Sequence, residues 1–93
     1  PSVAGIVSTI GGDDAIRLMR FVDLDQIRSH PKIFLGFSDA NVVNMMCLQA
    51  GLVSFSGVCI MVGFAENTGM HRYTADSVRR TLFSTEPVGR LHS

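Results

Sequence analysis

The sequence predicts an α/β domain, a parallel sheet with flanking helices, on three observations. Short apolar runs at residues 3–7, 33–37 and 52–55 have the length and composition of buried strands. Between them lie segments whose apolar residues are spaced by three and four, as on one face of a helix. The chain is 46% hydrophobic and 17% charged, a balance that fills a core and argues against disorder. Strands that alternate with helices pair in parallel and are covered on both faces.

The first strand, residues 3–7, runs into Ser8-Thr9-Ile10-Gly11-Gly12, a glycine turn. The glycine pair lacks the G-x-G-x-x-G spacing, so it argues for a tight turn and against a dinucleotide site. Asp13 and Asp14 then precede Ala15, Leu18, Met19 and Val22, whose spacing predicts a helix with its acids at the positive N-terminal end. Asp23-Leu24-Asp25-Gln26 has the form of a capping box, which predicts a second short helix from Leu24 that stops before His30-Pro31. Residues 33–37 make the next strand. Beyond Ser38, the residues Val42, Val43, Met46 and Ala50 share one side of a helix, and Gly51 is placed to end it. Residues 52–55 form the third strand. Over residues 56–70 the apolar run 58–62 fits a strand or a buried loop equally, and Glu66-Asn67-Thr68-Gly69 is turn chemistry. Thr74 is placed to cap a last helix holding Val78 and Leu82, which ends before Glu86-Pro87.

Charge and composition exclude several functions. Eight basic residues balance eight acidic ones, so no excess exists to neutralise a phosphate backbone or an anionic membrane surface, and no nucleic acid or membrane partner is expected. Every apolar run is broken well before the ~18 residues that a membrane span needs. The chain opens at Pro1 without the basic and apolar regions of a signal peptide, and a cytoplasmic location is expected. Cys47 and Cys59 form no C-x-x-C pair, and are expected as reduced core residues rather than a disulfide. No metal or cofactor is expected. The hydrophobic content is high for 93 residues, so the chain is expected to be a piece of something larger.

Ser38 stands where a predicted strand meets a predicted helix, at the carboxyl end of the strand, which is where parallel sheets bind ligands. Two readings fit this position. A serine before a helix often only caps it. It can also be a nucleophile on a sharp strand-to-helix turn, where the hydroxyl is exposed and the following backbone N–H groups stabilise an oxyanion. Such a turn needs small residues two before and two after, and here they are Gly36 and Ala40. The Gly11-Gly12 turn ends the preceding strand on the same edge, within reach to lend a further N–H.

The segments STIGG, VDLDQIRSHPKIFLGFSDAN, LVSFSG and GMHRYTADSVRRTLFSTEPVG closely resemble the LD-carboxypeptidase family of serine peptidases, in particular its microcin C immunity branch. The run from Pro31 to Asp39 is the most specific part of the likeness, and it weighs against the capping reading. The resemblance implies that Ser38 is the nucleophile and that the backbone N–H groups of Gly12 and Asp39 form the oxyanion hole. It implies that residues 1–93 are part of an N-terminal, Rossmann-like or flavodoxin-like domain. A C-terminal β-rich domain, absent from this chain, would supply a glutamate and a histidine, so the general base is expected beyond Ser93. None of His30, His71 and His92 falls at the family's base position, and none is assigned a catalytic role. Without that base the 93-residue chain alone is expected to be inactive.

This sequence departs from the family pattern in two places near the serine. Asn41 replaces a threonine and Val58 a proline, changes that bear on substrate choice. Ile10 stands where the peptidoglycan-recycling branch usually has an arginine, which favours the immunity branch. Its members cleave the amide of aminoacyl-nucleotide toxins through an acyl-enzyme. Muropeptide tetrapeptides are the second substrate class, and a homodimer is the expected assembly. A non-catalytic α/β binding or assembly module is the reading from a different class.

Overall fold

The computed structural model describes residues 2–91 and contains an incomplete α/β layer built on three parallel strands. The strands are β1 (Gly5–Val7), β2 (Ile33–Gly36) and β3 (Phe55–Ser56), in the order β1-β2-β3. Ile6 pairs with Phe34, and Leu35 with Phe55, so β2 is central and the expected parallel sheet is present. β1 is shorter than the predicted 3–7. The third strand is displaced: pairing begins only at Phe55, and Leu52 belongs to the turn after the helix, where its N–H donates to the Cys47 carbonyl.

α1 (Leu24–Ser29) starts where the sequence indicates, because the Asp23 carboxylate accepts the Asp25 N–H at 2.8 Å. α2 (Asn41–Gln49) follows a single 3-10 turn at Ser38–Ala40 and ends at Gly51, whose φ of +83° makes glycine the fitting residue there. The Arg28 guanidinium donates to the Ala50 carbonyl at 3.3 Å, so α1 supplies a partner to the carbonyl end of α2. Phe34, Met46, Cys47 and Ala50 are buried, with Phe34 on the α2 side of the sheet, while Leu35, also buried, points to the opposite face toward Phe55, Tyr73 and Leu82.

Two expectations about the helices are corrected. Residues Ala15–Phe21 form a 3-10 helix, and none of its side chains is buried. Its period of three brings residues i and i+3 into line, so the stripe of Ala15, Leu18, Met19 and Val22 does not gather on one covered face. The last helix, α3 (Arg72–Leu82), begins before Thr74, since the Ala75 N–H already donates to the His71 carbonyl. Thr74 therefore lies within the helix, and no side chain caps its start. Over residues 58–62, where the sequence leaves strand and buried loop open, the chain turns, with one isolated bridge from Cys59 to Gly63. This segment lies against the end of β1, where the Ile60 and Met61 N–H groups donate to the Ser8 and Thr9 carbonyls at 3.0 Å each.

Both cysteines are free and buried, with Cys59 0% exposed. Burial pushes the Cys47 thiol up, against a smaller lowering by a backbone hydrogen bond. Among the described residues no helix is long and apolar enough to cross a membrane.

Candidate functional site

The carboxyl ends of β1 and β2 release two turns that touch. The first carries Gly11 and Gly12, the second Ser38 and Asp39. At Ser38 the chain turns from an extended Phe37 (φ −141°, ψ 135°) directly into helical geometry. Ser38 itself has φ +53°, and it is the one non-glycine residue with positive φ among the described residues. A left-handed conformation costs a residue with a Cβ about 1–2 kcal/mol. The turn nevertheless holds, because β2 and α2 are fixed on either side of it, and it leaves Ser38 exposed at the corner.

Small residues make the corner possible. A Cβ at Gly11 would lie 2.8 Å from the Ser38 Cβ, 3.1 Å from its Oγ and 3.6 Å from the Asp39 nitrogen. Only a glycine lets the first turn approach the serine this closely. At Gly36 a Cβ would collide with the Asn44 amide of α2. Asn44 is buried and donates through Nδ2 to Ser54 Oγ at 2.9 Å and to the Phe55 carbonyl at 2.8 Å, which ties α2 to the approach of β3.

The predicted residues Gly12, Ser38 and Asp39 come together at this corner. A Cβ at Gly12 would be 3.4 Å from Asp39 Oδ2. The same Oδ2 accepts the Ala15 N–H at 2.9 Å. Among the described residues, neither the Gly12 nor the Asp39 N–H donates to another backbone or side-chain group. Beside the corner an open cleft of about 450 Å³ is bordered by Ile10, Gly12, Asp13, Leu18, Asp39 and Ala40. A second cleft, about 360 Å³, lies between β3 and α3 along Phe55, Val58, Tyr73 and Leu82, and Ser38 itself lines neither of the two.

The histidines lie elsewhere. His30 precedes β2, at the opposite end of the strand from Ser38, with Nδ1 3.2 Å from the Gln26 carbonyl oxygen. His71 is exposed at the start of α3, and His92 lies outside the described residues. No histidine hydrogen-bonds Ser38 among the described residues. The two departures near the site have local consequences. Asn41 Oδ1 accepts the Ser56 hydroxyl at 2.9 Å, a bond from α2 to β3. Val58 presses on Gly63, where a Cβ would come within 2.6 Å of the valine Cβ.

Sequence reasoning missed Gly11 as the closest approach to Ser38, Asn44 as the buried polar tie and the Asp39 carboxylate as a bridge to Ala15. Only Gly11 carried a signal, as half of a glycine pair. The Asp39–Ala15 bond spans 24 residues and follows from the packing of two turns, not from any local pattern.

Residues 1–57 match the LD-carboxypeptidase N-terminal domain. The chain is 34% identical over 83 residues to the microcin C7 self-immunity protein MccF of Escherichia coli, covering 88% of this chain and 24% of that protein. It is 40% identical over 58 residues to YocD of Bacillus subtilis, which carries a provisional carboxypeptidase name, covering 61% of this chain and 18% of YocD. A Bacillus subtilis protein provisionally named as a murein peptide carboxypeptidase is 31% identical over 85 residues, 90% of this chain and 26% of its own length. The chain thus spans about a quarter or less of the length of these relatives.

Proposed function

The chain belongs to the LD-carboxypeptidase family, and from that membership we propose that it is the nucleophile-bearing part of a serine amide hydrolase in which Ser38 attacks the substrate carbonyl. The observation that carries the proposal is the left-handed φ of +53° at an exposed Ser38 on a strand-to-helix corner. Strain of this kind at a non-glycine residue is retained where the surrounding fold over-determines it, and such places cluster at functional sites. A capping serine needs no such conformation; an Ncap residue normally has β-region φ and ψ. The conformation supports the reading of this corner as a nucleophile elbow.

In the proposed reaction Ser38 Oγ gives its proton to a base and bonds to the carbonyl carbon. The negative charge on the tetrahedral oxygen is met by the N–H groups of Gly12 and Asp39. Collapse expels the amine, which takes the proton back from the base, and water then releases the acyl group from Ser38. The base and its carboxylate partner are proposed to lie in a further domain of the intact protein.

For the substrate we propose the aminoacyl-nucleotide amide class. Its support is the similarity to the microcin self-immunity protein over 88% of this chain, together with Ile10 at the edge of the cleft beside the serine. An isoleucine there offers no charge to pair with a substrate carboxylate. The 31% identity to the murein peptide relative keeps a tetrapeptide as the second reading. In the intact protein, Ser38→Ala is expected to lower turnover by about 10³-fold or more, as loss of an activated nucleophile does. Retention of a tenth of the wild-type rate would refute the assignment. The intact protein is expected to hydrolyse an aminoacyl sulfamoyl adenosine with higher kcat/KM than a muropeptide tetrapeptide, and the opposite preference would exchange the two readings.

A further inference from the structure

We propose that Asp39 has a second duty, carried by its side chain: its carboxylate is a positioning residue that clamps the Gly11-Gly12 turn onto the serine corner and thereby sets the gap between the two oxyanion donors. The proposal rests on the reading of Ser38 as nucleophile. Asp39 Oδ2 accepts the Ala15 N–H at 2.9 Å, and Ala15 is the first residue of the 3-10 helix that the turn leads into. That helix has no buried side chain, and its Phe21 is 73% exposed. Fully buried apolar side chains therefore do not lock residues 15–21 against the corner. The hydrogen bond from the Ala15 N–H to the Asp39 carboxylate supplies a directional tie in their place. Here it links the same two turns whose backbone N–H groups would face one oxyanion. The closeness of Gly11 to Ser38 and of Gly12 to Asp39 Oδ2 leaves no slack between the turns. A shift of the first turn would thus move the Gly12 N–H away from the oxyanion while leaving Ser38 and its own corner in place.

Asparagine can accept the same N–H, alanine cannot, and glutamate carries the acceptor one methylene too far. In the intact protein, Asp39→Ala and Asp39→Glu are expected to lower kcat about 10-fold to 100-fold with KM within about twofold, the signature of a donor displaced in the transition state. Asp39→Asn, which keeps an acceptor for the Ala15 N–H, is expected to lose less kcat than either of these variants, by about threefold or more. Hydrogen exchange at the Ala15 amide should speed up in the alanine variant and stay slow in the asparagine one. Should the alanine variant fail to fold, the glutamate and asparagine pair carries the same comparison. The clamp is overturned if Asp39→Asn is as impaired as Asp39→Ala or Asp39→Glu, if the loss falls on KM, or if Ala15 exchange ignores the substitutions. Full activity in Ser38→Ala would instead remove the nucleophile reading, whatever the exchange data show, so the two failures are told apart.

Discussion

Substituting Gly36 by alanine should destabilise the protein far more than one added methyl group would on a surface. The new Cβ would collide with the Asn44 amide and lie 2.9 Å from Phe34 Cε1. Phe34 is itself buried, so the aromatic ring cannot swing clear. Asn44 must then turn away, which breaks its bonds to Ser54 Oγ and to the Phe55 carbonyl. Overpacking of this kind costs about 1–3 kcal/mol. Leaving a buried carbonyl without its donor costs about 1–3 kcal/mol more. The sum, about 2–6 kcal/mol, is a large share of the roughly 5–15 kcal/mol that separates folded from unfolded domains. Urea denaturation of the intact protein, compared with Gly36→Ala, Asn44→Ala and the double variant, measures it. Because the Asn44 side chain is the obstacle, Gly36→Ala in the Asn44→Ala background should cost less by about 2 kcal/mol than in the wild type. A Gly36→Ala cost under 1 kcal/mol, or an equal cost in both backgrounds, would refute the packing argument.

Two further outcomes follow from single residues. Ser38→Gly relieves the left-handed strain and should raise stability by about 0.5–1 kcal/mol, net of the extra freedom of an unfolded glycine, while abolishing turnover; a destabilised Ser38→Gly variant would contradict the strain reading. Burial raises the folded-state affinity of Cys47 for its proton, so the unfolded chain releases that proton first. Stability should therefore fall as pH rises above the ordinary thiol range, about 8.5, and Cys47→Ala should flatten that slope.

The parts of the fold legible in the sequence are those fixed by local pattern. α1 could be placed because Asp23 caps it, α2 because Met46 and Ala50 recur on its inner side and Gly51 ends it, and β2 because its apolar run sits between His30-Pro31 and Ser38. The 3-10 helix was misjudged since spacing alone does not separate a period of 3.0 from 3.6 over seven residues. The start of β3 was missed because pairing with β2, not the apolar character of Leu52 and Val53, decides where a strand begins. Residues 56–70 escaped a pattern because Gly63 and Gly69, both at positive φ, bend the chain repeatedly. At the site, Ser38 and its small neighbours were legible from the G-x-S-x-A spacing. The positive φ of Ser38 was not, since serine carries no preference for that region, and neither was the Asp39 to Ala15 bond between turns far apart in the chain.

The measurement that bears most directly on the central claim is labelling by a serine-directed fluorophosphonate, which reports activation of the hydroxyl without a guess at the substrate. In the intact protein one modification is expected, at Ser38, abolished in Ser38→Ala, with the isolated 93-residue chain labelled far more slowly because its described histidines lie away from Ser38. An intact protein that is not labelled, that is labelled equally in Ser38→Ala, or whose Ser38 reacts no faster than in the isolated chain would contradict it.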